Sequence, residues 1–152
     1  MKKITLVLML MLATVSFGQI KKVESAPRTE IGRLKSGTSL AMKCEKEGNT
    51  YYFTFEDVSL NLVKNQKTFK IEDIDNAFET LYAMVKEGVE TQPKEFTVLE
   101  VENGYVYLMY SKTMGIKCVS FGHSLTKGED AVISYSSPFN KKQVDKLFGK
   151  KD

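Results

Sequence analysis

Residues 39 to 58 read SLAMKCEKEGNTYYFTFEDV. Leu40, Met42 and Cys44 alternate with Ala41, Lys43 and Glu45; a Glu-Gly-Asn break follows, and Tyr51 to Phe55 is then dense in aromatic residues and threonine. Alternation at a period of two sends one set of side chains to one face of a strand, and glycine beside asparagine supplies a tight turn. The stretch is a hairpin, so the fold contains antiparallel sheet.

Residues 67 to 71 (KTFKI) give a further short strand. In EDIDNAFETLYAMVKEG, residues 72 to 88, the apolar positions Ile74, Ala77, Phe78, Leu81 and Val85 recur at helical spacing. Asp73 is placed to cap this helix, and Gly88 to stop it, which predicts a helix over Asp73–Glu87. The second half starts again with EFTVLEVENGYVYLMYS, residues 95 to 111, an alternating strand, an Asn-Gly turn and an aromatic strand. MGIKCVSFG (114 to 122) and DAVISYS (130 to 136) add two strands. A helix over Asn140–Phe148 then closes the chain: Asn140 caps, Gln143 is its capping-box partner, and Phe139 with Val144 is placed as a hydrophobic staple. The expected fold class is α+β, an antiparallel sheet of about six to eight strands with two main helices. The core is expected to hold Leu40, Met42, Phe69, Leu99, Ile116 and Val132 against Phe78, Leu81, Val144 and Leu147. Hairpin, strand and helix recur in the same order, with Gly48 and Gly104 in corresponding turns, and the alternative to an undivided pattern is two degenerate repeats.

The first residues, MKKITLVLMLMLATVSFGQ, carry Lys2 and Lys3, an apolar run from Ile4 to Val15, and small residues before Gln19. This is the pattern of a signal peptide over residues 1–18, and the run is too short to span a bilayer, which takes about 20 apolar residues. The expected product is an exported bacterial protein, periplasmic or secreted, cut near Gly18/Gln19, with no membrane span remaining. Residues 19–36 read as a polar tether or edge segment, and 37–152 as a single α+β domain. The formal charge of +3 includes Lys2 and Lys3, so the mature chain carries only +1. Its cations are interspersed with acids, which argues against a nucleic-acid surface.

Export also bears on the two cysteines. Cys44 and Cys118 admit two readings, a disulfide favoured by an oxidising compartment or two buried thiols acting as small hydrophobes. The alternation Met114/Ile116/Cys118 places Cys118 on the expected core face.

The chain's one histidine, His123, lies five residues from Cys118, an odd separation that puts the two on opposite faces of a regular strand. That spacing opposes a cysteine–histidine nucleophile, and no ligand pair at metal-site spacing, phosphate loop or nucleophile elbow is present. The residues thus give no catalytic machinery, cofactor or metal site. What remains is aromatic: Tyr51, Tyr52, Tyr105, Tyr107 and Tyr110 form a candidate binding surface, since tyrosine joins a large apolar body to a polar tip. The expected function is a binding or interaction module whose partner is a protein or a cell-envelope ligand. The alternatives are a small extracytoplasmic hydrolase-like enzyme around His123 with Asp130 or Cys118, and an inhibitor of an extracytoplasmic enzyme.

Overall fold

The computed structural model describes residues 26–59 and 65–150 of the 152-residue chain. The signal segment, the first part of the tether and the last two residues lie outside them. Four strands, β1 (Thr29–Ser36), β2 (Ser39–Glu47), β3 (Thr50–Glu56) and β4 (Gln66–Glu72), form an antiparallel meander in that order. Helix α1 (Ala77–Thr91) leads to a second antiparallel sheet of β5 (Thr97–Val101), β6 (Gly104–Thr113), β7 (Ile116–Ser124) and β8 (Ser134–Tyr135). The two-residue strand β9 (Phe139–Asn140) pairs with β7, and helix α2 (Lys141–Leu147) follows it. The fold is α+β, and among the described residues it has two helices and nine strands that divide into two sheets.

Each sheet turns one face inward. Met42 and Cys44 face the same side as Phe53, Phe55 and Phe69, and the Phe53 and Phe69 rings stack at 4.9 Å. In the second sheet Val106, Leu108 and Tyr110 stand opposite His123, Phe121 and Val119. One continuous core joins these two faces through Phe78, Leu81 and Val85 of α1 and Val144 and Leu147 of α2. Phe148 completes the junction, with its ring 5.4 Å from Phe53 and 5.1 Å from Phe78. No helix among the described residues is long and apolar enough to cross a membrane.

Several expectations need correction. Helix α1 begins four residues later than Asp73 and runs past Gly88 to Thr91. Asp75 and Asn76 adopt left-handed backbone angles ahead of it, and the Asp73 carboxylate accepts from the Phe78 N–H at 3.0 Å. Gln92, in the left-handed region, ends the helix by donating its N–H to the Gly88 carbonyl. Helix α2 matches its capping box: the Asn140 side chain accepts from Gln143 N–H, and the Gln143 side chain accepts from Asn140 N–H.

The core face of β7 is the reverse of the one expected. Val119, Phe121 and His123 point inward, and Cys118 lies on the other face, buried opposite Ser111 and Asn140. Met114 occupies the turn and is 97% exposed, and Ile116, in the last pair at the hairpin tip, is 55% exposed. Val132 is 85% exposed in the connection before β8, where only Ser134 and Tyr135 of the expected 130–136 strand pair. Leu40 and Leu99 are partly buried, and the other expected core residues are buried.

A candidate ligand cleft beside His123

Asn103 occupies the tight turn between β5 and β6, and its side chain reaches across to the first sheet. Its Oδ1 accepts from Lys70 N–H and its Nδ2 donates to the Thr68 carbonyl, both at 2.9 Å. The carboxamide therefore lies along the outer edge of β4 and satisfies two main-chain groups there. The Asn103 carbonyl in turn lies 3.0 Å from His123 Nε2. A carbonyl can only accept, so Nε2 carries the hydrogen and the neutral ring leaves Nδ1 as an acceptor.

His123 is 7% exposed, with its ring 6.2 Å from that of Phe69. Burial pushes its pKa below the ordinary histidine value, aided by the positive charge of Lys67 and opposed by the bond to the Asn103 carbonyl. Nδ1 makes no hydrogen bond to the described residues. Every fully buried side-chain nitrogen or oxygen among those residues has a partner, so Nδ1 is open to the cleft beside it.

That cleft has a volume of about 580 Å³. Gln66, Lys67 and Thr68 of β4 form one wall, Asn103 and His123 the base, and residues 124 to 134 the other wall, including Asp130 and Ser134. The second wall is tied down by Asp57, a buried carboxylate just past β3. Its Oδ1 accepts from Ser59 N–H and Oγ and from Tyr135 N–H, while Val58 N–H donates to the Tyr135 carbonyl. Burial works to raise the Asp57 pKa, but hydrogen bonds from Ser59, Ser134 and Tyr135 outweigh it and hold the pKa below the ordinary carboxylate value. The cleft thus mixes apolar surface from Leu125 and Val132 with a few charged and polar groups, namely Lys67, the neutral His123 imidazole and the exposed Asp130 carboxylate.

The tyrosines proposed as a surface do not form one. Tyr51 is in the core, stacked on Phe78 at 3.9 Å. Tyr52 stands on the outer face of the first sheet under the Arg28 guanidinium, 3.8 Å from the ring centre. Tyr107 is buried on the outer face of the second sheet, where it closes around Gly122 together with Ile133 and Tyr135. Tyr105 is half-buried on that same face, and Tyr110 faces inward against α1. The reason is alternation itself, which divides each aromatic run between two faces.

Cys44 and Cys118 are both free and buried, one in each sheet, so the bond considered between them is not formed. Burial raises the pKa of both thiols, most strongly for Cys44. Cys118 and His123 occupy opposite faces of β7, as their odd spacing requires. Asp130 shares the cleft with His123, but no hydrogen bond joins them. Lys67, Thr68 and Asn103 carry no local sequence signal for a site. Asn103 reads as a turn residue, and only the approach of the two sheets gives its side chain another role.

No known protein family, no curated protein sequence and no solved structure matches the chain.

Proposed function

We propose that the protein is a small exported binding protein whose ligand site is the cleft bounded by Lys67, Asn103 and His123. The observation that carries this reading is the pairing of concavity with fixed polarity. A cleft of about 580 Å³ is lined by convergent polar groups whose positions are set from both sheets by Asn103 and Asp57. Ligand sites generally have this form, a preformed concavity with a few placed donors and acceptors. The leader-like first 18 residues support export, which would set the ligand in the cell envelope or outside it.

One observation favours a hydrolase-like reading, namely that His123 and Asp130 line the same cleft. Against it, the imidazole is held by a main-chain carbonyl rather than a carboxylate, which orients the ring without stabilising an imidazolium as an acid would. The test is an amide-resolved NMR titration of the mature chain with amino acids, short peptides, sugars and nucleosides. Shifts should gather at Lys67, Asn103, His123 and Ser134, with ligand recovered intact. Shifts confined to the outer faces of the aromatic strands, or none, would remove the cleft from consideration. Turnover lost in His123→Gln would replace binding with catalysis.

A further inference from the structure

The two bonds to Asn103 fix the direction of every main-chain group along β4. Lys70 N–H and the Thr68 carbonyl face outward to the Asn103 side chain. The odd-numbered neighbours face the other way: the Asn65 carbonyl accepts from Asp57 N–H, and Asp73 N–H donates to the Asn49 carbonyl. Even-numbered residues of β4 therefore turn their N–H and C=O groups away from β3. The Thr54 and Thr68 hydroxyls, 2.9 Å apart, agree with this, since side chains come closest in pairs that share no main-chain bond.

Along this edge Asn103 fills one slot, offering a donor and an acceptor as one residue of an added parallel strand would. The next slot, formed by the Gln66 carbonyl and Thr68 N–H, repeats the same spacing. Neither group has a partner among the described residues, and both residues line the cleft. An open edge slot is a template for another chain. Asn103 limits what can use it, because a strand added beside β4 cannot continue past the filled slot. Lys67, from the strand position between the two slot residues, brings an ammonium that forms no ion pair or hydrogen bond with the described residues. Asp130, the cleft's carboxylate, is exposed to water, whereas Lys67 is partly buried.

We propose that the cleft captures the carboxyl end of an extended peptide added parallel to β4. The terminal residue donates its N–H to the Gln66 carbonyl, and its carboxylate accepts from Thr68 N–H and from the Lys67 ammonium. The slot of Gln66 and Thr68 supplies the main-chain bonds, the Lys67 ammonium supplies the selection for a terminus, and Asn103 is the stop. This combines strand addition with carboxylate capture. It rests on the cleft being the ligand site, and it names the ligand class.

The experiment uses the isotope-labelled mature protein and a degenerate pool of short free-acid peptides at millimolar concentration, since main-chain bonds demand no particular side chain. The Thr68 amide should shift and its hydrogen exchange should slow. Amidating the pool's carboxyl ends, or changing Lys67→Gln, should weaken binding about tenfold, the loss of one charge-assisted hydrogen bond. Retention of the dispersed amide spectrum in Lys67→Gln separates lost binding from lost fold. Equal binding of the free-acid and amidated pools, acetate binding as tightly as the peptides, or an unresponsive Thr68 amide would each overturn the proposal. If amino acids, sugars or nucleosides move His123 and Ser134 while the peptide pool leaves Thr68 unchanged, the cleft remains a ligand site and only the peptide assignment falls. If no probe moves a cleft signal, both readings fall.

Discussion

The Tyr110 ring fills the space that a side chain on Gly88 would need: a Cβ at that position would lie 2.0 Å from Tyr110 Cζ. The contact brings α1 onto the inner face of β6. Gly88→Ala should be destabilising, by about 1–3 kcal/mol of overpacking set against roughly 1 kcal/mol of improved helix propensity. The penalty should shrink in a Tyr110→Leu background, read as non-additivity in a denaturation cycle. A larger loss is expected for Gly32→Ala on β1, where the obstacles are the Lys146 and Leu147 carbonyl oxygens at 2.2 and 2.3 Å. A side-chain tip can swing aside, whereas the end of α2 would have to lift off the sheet. Additive changes at 88 and 110, or a neutral Gly32→Ala, would contradict this packing.

Asn103→Ala removes two bonds and leaves the edge groups of Thr68 and Lys70 without their partner. A stability loss of about 1–3 kcal/mol is expected in chemical denaturation. Asn103→Asp keeps the acceptor for Lys70 N–H but turns the other oxygen toward the Thr68 carbonyl, so it should recover only part of that loss. Full recovery with aspartate would mean that the Nδ2 bond contributes nothing.

His123 should make stability depend on pH in a defined direction. Its pKa in the folded chain is depressed below the ordinary 6.5, so the unfolded chain takes up the proton more readily. Its contribution is therefore complete above 6.5 and declines as pH falls toward the folded-state pKa. Denaturation midpoints should begin to drop as pH falls below 6.5, before most carboxylates titrate. In His123→Gln, which retains a donor for the Asn103 carbonyl, that part of the slope should flatten. A slope unchanged by the substitution would assign it to other groups.

Both thiols should resist labelling in the native protein, because each is buried and its thiolate is disfavoured by desolvation. Mass spectrometry after brief exposure to a thiol reagent should find no adduct without denaturant and two with it. Cys118, the slightly more accessible of the two, should be the first modified at intermediate denaturant. Rapid native labelling of Cys44 would contradict its place in the core.

The capping box of α2 is legible because Asn140 and Gln143 act within one turn. The inward set of β2 is legible because Lys43 and Glu45 mark the other face as polar, whereas on β3 both sets are aromatic and Tyr51 and Tyr52 read alike. On β7 the markers conflict: Lys117 falls on the set of Val119 and Phe121 and Ser120 on the set of Ile116 and Cys118, and both sets are otherwise apolar, so a period of two cannot choose between them. The choice is made by Leu108, opposite Phe121, and by the Phe69 ring of the facing sheet, 6.3 Å away. Gly88 misleads for a related reason. A glycine late in a helical pattern normally ends it, and only the arrival of Tyr110 from a later strand shows that this one serves a close approach within the helix. The cleft depends even more on distant residues. Its walls come from β4 and from residues 124 to 134, and Asn103, whose side chain holds β4 and whose carbonyl meets His123, belongs to a turn.

The arrangement of the helices has a consequence for biosynthesis. Helix α1 follows the first sheet in the chain yet packs on β6 and β7 as well as β4, and α2 follows the second sheet yet packs on β1 and β2. A nascent chain that has already made its first meander must hold the inner side of β1 and β2 uncovered until residues 141 to 148 emerge. A ribosome stalled shortly before Asn140 should therefore present a sticky, protease-sensitive intermediate in place of a finished half. Helix α2 is the latch of the first sheet, so a chain cut before Lys141 should leave the inner side of β1 and β2 uncovered.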